Sequence, residues 1–256
     1  MLDIKNLTIK FGGLVAVSNF SLTIGEKEVV GLIGPNGAGK TTVFNMLTGV
    51  YTPTSGTISY LGEDIKGLKP YIITSKKIAR TFQNIRLFSD LSVLDNVKIS
   101  YDYKLKYNLL DSILRTPRFK KEEAQMDSEV KELLKTFNLL DKCYEKASNL
   151  SYGEQRRLEI VRALATGPKL LLLDEPAAGM NPQETAELSG LIKWIRDTYD
   201  VSILLIEHDM KLVMGICDKI TVLDYGKVIA VGSPDEIKNN PKVIKAYLGE
   251  EATVNA

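Results

Sequence analysis

The chain has 256 residues, 44% of them hydrophobic, which suits one large or two small domains with a substantial core. Its 33 basic and 32 acidic residues leave a net charge of +1, with none of the basic excess of a dedicated nucleic-acid binder. Its apolar runs, such as 170–173 and 203–206, are far shorter than the roughly 20 residues a helical membrane span needs, and 1–5 does not open like a secretory leader.

In chain order, the first quarter reads as β. Leu7, Ile9 and Phe11 alternate with polar residues up to Gly12-Gly13, and Phe20, Leu22 and Ile24 alternate again up to Gly25-Glu26. That pattern predicts an antiparallel pair. Residues 29–33 are continuously apolar apart from Gly31, as in a strand buried on both faces. A further strand is expected over 57–61. From about Ser92 to Ala165 the chain is rich in Lys, Glu and Leu, which predicts several helices, including 121–138 and 154–165. The stretch 101–121 alternates basic, aromatic and apolar residues and reads as helix with loops. The last third returns to α/β, with buried strands over 170–173 and 202–206, a helix over 183–198 between them, and a hairpin of 220–223 with 227–231. The helical block therefore reads as an insertion into one α/β core. Cys143 and Cys217 are far apart and read as free thiols, and a single histidine leaves few zinc schemes.

Directly after the strand 29–33 stands Gly34-Pro35-Asn36-Gly37-Ala38-Gly39-Lys40-Thr41-Thr42. It fits G-x-x-x-x-G-K-[ST] between a strand and a helical pattern, the context this phosphate cradle requires. Glycines let backbone N–H groups curl around phosphate oxygens, and the following helix N-terminus adds its positive dipole end. Lys40 would reach the β- and γ-phosphates of ATP and Thr41 would ligate Mg²⁺. The apolar run 170–173 delivers Asp174 and Glu175 to the carboxyl end of a strand, where parallel sheets place their ligands. Asp174 would hold Mg²⁺, and Glu175 could polarise the attacking water as general base. Together the two motifs imply a P-loop nucleoside triphosphatase.

Leu150-Ser151-Tyr152-Gly153-Glu154-Gln155 opens a helical pattern, and Ser151-x-x-Glu154 alone reads as a capping box. It also resembles the Leu-Ser-Gly-Gly-Gln signature of ABC ATPases, with Tyr152 and Glu154 as departures. The other landmarks of that family stand in its order. Phe11 matches the aromatic that stacks on adenine, and Gln83 matches the glutamine that touches Mg²⁺ and water. His208 matches the switch histidine near the γ-phosphate. Asn181 stands where most members carry the D-loop aspartate. The stretches 150–160, 174–182, 206–214 and the tail 240–250 are similar to the ATPase subunits of branched-chain amino-acid importers.

The resemblance implies an ABC ATPase fold: a P-loop α/β core with a mostly parallel sheet, an N-terminal antiparallel β subdomain and an inserted helical subdomain. The core would span 1–88 and 160–256, the helical subdomain 89–159. It also implies catalytic roles for Glu175, His208 and Gln83, and metal contacts for Thr41, Gln83 and Asp174. Ser151, Gly153 and Glu154 would bind a partner subunit's nucleotide. The implied partners are a second ATPase subunit, the same chain or a related one, integral-membrane permease subunits, and indirectly an extracytoplasmic solute-binding protein. The implied location is the cytoplasmic face of the plasma membrane, held through the permease. A soluble ABC ATPase without a transporter is the alternative, although such chains usually carry two cassettes or a long coiled coil. A P-loop kinase for a small molecule would leave 150–155 and His208 without work.

Overall fold

The computed structural model describes residues 1–101 and 104–254, with side chains as far as Tyr247. Asp102 and Tyr103 of the basic and aromatic stretch, and the side chains at 248–250 of the tail, lie outside the described residues. The chain forms two compact units, Met1–Arg80 with Lys169–Ala256, and Thr81–Pro168.

In chain order, the first unit begins with β1 (Leu2–Phe11), β2 (Leu14–Ile24), β3 (Val29–Ile33), α1 (Lys40–Leu47), β4 (Ser55–Tyr60), β5 (Glu63–Asp64), α2 (Pro70–Ser75) and β6 (Ile78–Arg80). The second unit supplies α3 (Val93–Tyr101), α4 (Leu109–Leu114), α5 (Pro117–Thr136) and α6 (Tyr152–Ala165). The first unit resumes with β7 (Leu170–Asp174), α7 (Pro182–Tyr199), β8 (Ser202–Ile206), α8 (Met210–Ile216), β9 (Lys219–Asp224), β10 (Lys227–Gly232), α9 (Pro234–Lys238) and α10 (Pro241–Val254).

Two sheets share the core of the first unit. The antiparallel sheet runs β2-β1-β4-β5, with Leu2 opposite both Ile24 and Tyr60. The register puts Leu2, Ile4, Ile24, Ile58 and Tyr60 in the interior, as the alternating pattern requires. The second sheet runs β10-β9-β3-β8-β7-β6, parallel except for β10. Every residue of β3, β7 and β8 is buried, which is why these strands read as unbroken apolar runs. Phe20 from one sheet, Leu32, Leu172 and Ile206 from the other, and Phe44 from α1 belong to one apolar cluster.

In the second unit α3, α5 and α6 pack on one another and bury Val97, Val130, Leu134 and Leu158. The helix expected from Lys121 begins earlier, at Pro117. Proline suits a first helical position, and the Thr116 hydroxyl caps the turn by accepting the Phe119 N–H at 3.3 Å. The short elements α2 and β6 had no sequence signal of their own, and α4 falls in the stretch 101–121 expected as helix with loops. Three residues are too few for a period, and β6 is a strand because β7 pairs with it. Among the described residues no helix is long and apolar enough to cross a membrane.

Candidate nucleotide site

The carboxyl ends of β3, β8 and β7, adjacent and parallel, carry the cradle, His208 and Glu175 respectively. Between β3 and α1 the loop is shaped by glycine. Gly34 has φ +148°, and a Cβ there would lie 1.9 Å from the Leu223 carbonyl oxygen, so only glycine fits. Gly37, at φ +76°, turns in open space with nothing to meet a Cβ. Ala38 is buried, and its carbonyl accepts the Gly226 N–H at 2.9 Å, which ties the loop to the β9–β10 turn. Gly39 precedes α1 with no side-chain cap, and the first turn of α1 holds no acidic residue. The N–H groups of that turn thus point their partial positive charge at the loop, as an anion site requires.

Lys40 is buried, and its Nζ donates to the carbonyls of Gly34 at 2.6 Å and Pro35 at 2.8 Å. The ammonium is therefore stored on the loop that would receive phosphates. Thr41 is exposed in the first turn, Thr42 half-buried beside it, and Asn36 is exposed. Phe11 ends β1 with 44% of its surface exposed. Tyr51 meets it edge-on, with ring centroids 5.1 Å apart.

Asp174 and Glu175 have different surroundings. Asp174 is buried, and its Oδ2 accepts from Arg80 Nη2 at 2.8 Å. The other terminal nitrogen of Arg80 donates to Asn45 Oδ1 at 2.8 Å and Thr48 Oγ1 at 3.3 Å, and the guanidinium lies over the Phe44 ring. An arginine at the end of β6 thereby fixes the carboxylate against α1. Glu175 leaves β7 with φ +50°, its N–H held by the Ile206 carbonyl at 2.9 Å. Its Oε1 lies 2.8 Å from Nε2 of His208. A carboxylate and an imidazole from neighbouring strand ends are thus joined at the rim, where they can accept and hand over a proton.

Beneath them lies Glu207, which sequence reasoning left without a role. Its Oε1 accepts the Ala177 N–H at 2.7 Å, and its Oε2 accepts the N–H groups of His208 at 3.0 Å and Asp209 at 3.4 Å. One buried side chain spans the loops after β7 and β8. Burial pushes its carboxyl above the usual carboxylate range despite those N–H groups, and the nearby Glu175 charge adds to the rise. Asn181 caps α7. Its side chain accepts from Gln183 and Glu184 N–H groups, and Glu184 answers through the Asn181 N–H. The expected aspartate position is thus filled by a residue with a local capping role.

Gln83, Ser151, Gly153 and Glu154 fold within the second unit. Ser151 and Glu154 form the capping box that their spacing predicts, and Glu154 Oε1 also accepts from Lys142 at 2.8 Å. The Gln83 loop is moored to the same helix. Arg156 Nη1 donates to the Phe82 carbonyl at 2.7 Å, and Nη2 donates to the Gln83 carbonyl. Glu159 Oε1 accepts the Phe82 N–H at 3.2 Å and the Arg86 N–H at 3.4 Å, while Oε2 pairs with Arg156 at 3.1 Å. Both side chains are buried, and burial raises the Glu159 carboxyl. The only sequence signal for this mooring was two charges beside Leu158 on a helix otherwise read by its apolar positions.

The sequence profile of the ABC transporter family matches residues 17–178. The profile of the branched-chain amino acid ATP-binding cassette transporter matches 227–253. The chain is 50% identical, over 250 residues and 98% of each protein, to the high-affinity branched-chain amino acid transport ATP-binding protein LivG of Salmonella typhimurium. It is similar to an ATP-binding cassette of an ABC transporter solved in its ADP conformation. That match has a TM-score of 0.85 and 29% identity, over 97% of this chain and 98% of the other. A dimeric ATP-binding cassette in a post-hydrolysis state, bound to ADP and Pi, matches with a TM-score of 0.77 and 26% identity over 91% and 99%. A family profile over more than half the chain, and a relative alike from end to end, lead to one conclusion: this chain belongs to the ABC transporter family, as a nucleotide-binding, ATP-hydrolysing subunit.

Proposed function

We propose that the chain energises the uptake of branched-chain amino acids through separate permease subunits at the cytoplasmic face of the plasma membrane. The observation that carries the hydrolytic part is the Glu175–His208 contact, 2.8 Å long, on the two strand ends that follow the cradle strand in one parallel sheet. The solute class is supported by the likeness to LivG and by the branched-chain transporter profile over 227–253.

In this reading Phe11 stacks on adenine and 34–42 wraps the phosphates. Lys40 leaves the carbonyls of Gly34 and Pro35 for the β- and γ-phosphate oxygens, exchanging two neutral acceptors for charged ones. Glu175 takes a proton from the water that attacks the γ-phosphorus, and His208 holds that carboxylate in place. The Thr41 hydroxyl and the Asp174 carboxylate offer the hard oxygen donors that Mg²⁺ takes alongside phosphates. They would hold the ion there, where it neutralises phosphate charge when bound.

Ser151, Gly153 and Glu154 serve a partner subunit's nucleotide, so two ATPase subunits close around ATP and open after hydrolysis. Closure follows from the greater affinity of the closed pair for ATP than for ADP. The mooring of the Gln83 loop on α6 makes loop and signature one piece, so a push on one from the permease displaces the other. The ATP-binding core would comprise 1–88 and 160–256, the signature subdomain 89–159. An extracytoplasmic solute-binding protein would deliver the substrate, and no nucleic acid is involved.

The test is recovery of the tagged chain from gently solubilised native membranes. Integral permease subunits are expected with it, and the recovered complex in vesicles is expected to take up leucine only when supplied with ATP. Recovery from the soluble fraction alone, without membrane partners, would overturn the transport reading.

A further inference from the structure

In α4 the apolar residues point outward. Leu109, Leu110, Ile113 and Leu114 are 76%, 66%, 67% and 71% exposed, and no residue of the helix is buried. At 100° per residue these four positions form one continuous stripe, while Asp111 and Ser112 take the opposite side. A helix that buries nothing has no packing reason to be apolar.

This helix is nonetheless held firmly by polar groups. Asn108 and Asp111 make a capping box at its start, and the Thr116 hydroxyl donates to Asp111 Oδ1 at 2.9 Å at its end. Glu122 of α5 accepts the N–H groups of Lys106 at 2.8 Å and Tyr107 at 3.2 Å. The Tyr107 ring packs edge-on against Phe119, with centroids 5.0 Å apart. These local hydrogen bonds hold the helix while its apolar stripe stays exposed.

The surroundings indicate what covers it. Residues 104–121 hold six basic side chains and one acidic, in a chain whose net charge is only +1. Arg115, which ends α4, and Lys120 and Lys121, in the first turns of α5, are exposed. A cleft of about 400 Å³ is lined by Lys104, Lys106, Arg118 and Lys121. The one carboxylate in it, Glu122, is engaged by Arg118 at 3.1 Å and by the two N–H groups above. An apolar stripe that the chain brackets with the basic residues of this cleft is the pattern of a surface that seats acyl chains and anionic headgroups together.

We propose that α4 and its basic flanks dock this subunit on an anionic phospholipid bilayer, as a contact separate from any permease interface. The stripe lies in the plane of the interface, and Lys104, Lys106, Arg118 and Lys121 meet phosphate headgroups. This inference does not rest on the transport reading, and the two can fail separately.

The test is flotation of the purified full chain with vesicles of phosphatidylcholine alone, or of equal parts phosphatidylcholine and phosphatidylglycerol. Binding is expected only with the anionic vesicles, and it weakens as salt is added. Ile113→Glu should lower vesicle affinity about tenfold or more, the effect of losing one buried aliphatic side chain. Arg115→Glu and Lys120→Glu should each lower it at least about fivefold, the expectation for one basic residue near a charged surface. ATP hydrolysis and far-UV circular dichroism should stay at wild-type levels in all three, because these side chains support no core. No flotation, equal flotation with neutral vesicles, or flotation indifferent to Ile113→Glu would overturn the proposal. Binding to detergent-solubilised permease subunits that depends on Ile113, without vesicle binding, would assign the stripe to a protein partner and overturn it equally.

Discussion

The two units each depend on one buried arginine–carboxylate pair, and they use it differently. In the first, Arg80 and Asp174 meet at the site itself, between α1 and the end of β7. The cradle beside them is shaped by backbone: Gly34 allows the chain to pass the Leu223 carbonyl, and α1 offers uncapped N–H groups. In the second, Arg156 and Glu159 pair on α6 at 3.1 Å. They fasten the backbone of the Gln83 loop to the helix that begins with Ser151. A backbone cradle holds its shape through steric exclusion, which few substitutions other than those at its glycines can alter. A side-chain mooring can be removed with one substitution. On the proposed mechanism, the first arrangement suits a rigid receptor for a constant ligand and the second a part that transmits displacement.

Arg156→Met should sharpen that contrast most. It leaves Glu159 buried without its cation, at a cost of about 3–5 kcal/mol. Chemical denaturation should register the loss. Hydrogen exchange should accelerate at the Phe82 and Arg86 amides while α1 keeps its protection. Adding Glu159→Leu should recover only part of the loss: it removes the uncompensated buried charge but leaves the Phe82 and Arg86 N–H groups without their acceptor. If Arg156→Met exposes α1 as much as the Gln83 loop, the units do not differ as described.

A smaller effect concerns pH. Burial holds Glu207 above the ordinary carboxylate value of 4.5. The native chain therefore binds more protons than the unfolded chain between that value and the raised one. The contribution of Glu207 is full below about 4.5 and is lost as pH rises through its raised value. The decline cannot exceed about 1.4 kcal/mol per pH unit for one group. Glu159, also raised by burial, acts with the same sign. Thermal unfolding from acid to neutral pH should show a shallower decline for Glu207→Gln than for wild type. An unchanged slope would mean that the tether beneath His208 carries no titration.

The cradle and the acidic strand end were legible because their chemistry is local. Glycine spacing followed by Lys40 and Thr41 reports backbone shape, and an apolar run ending in Asp174 reports a strand end. The capping box at Ser151 was legible for the same reason. Arg80 was not, because its meaning depends on β6 pairing with β7, which brings together residues 94 positions apart. Arg156 and Glu159 were obscured by an amphipathic pattern in which two charges pass for a solvated face. Glu207 was passed over beside a more conspicuous histidine. The stripe of α4 had no period long enough to read, and only exposure in three dimensions separates it from a core segment.

The measurement that bears most directly on the shared-nucleotide mechanism is the solution mass of the Glu175→Gln chain with and without ATP and Mg²⁺. With the proposed proton acceptor removed, hydrolysis should fall by about two to four orders of magnitude. ATP should then hold two subunits together, at twice the 28.4 kDa of the single chain. A mass that stays at 28.4 kDa under saturating ATP, with hydrolysis at the wild-type rate, would contradict both the role of Glu175 and the closed pair around ATP.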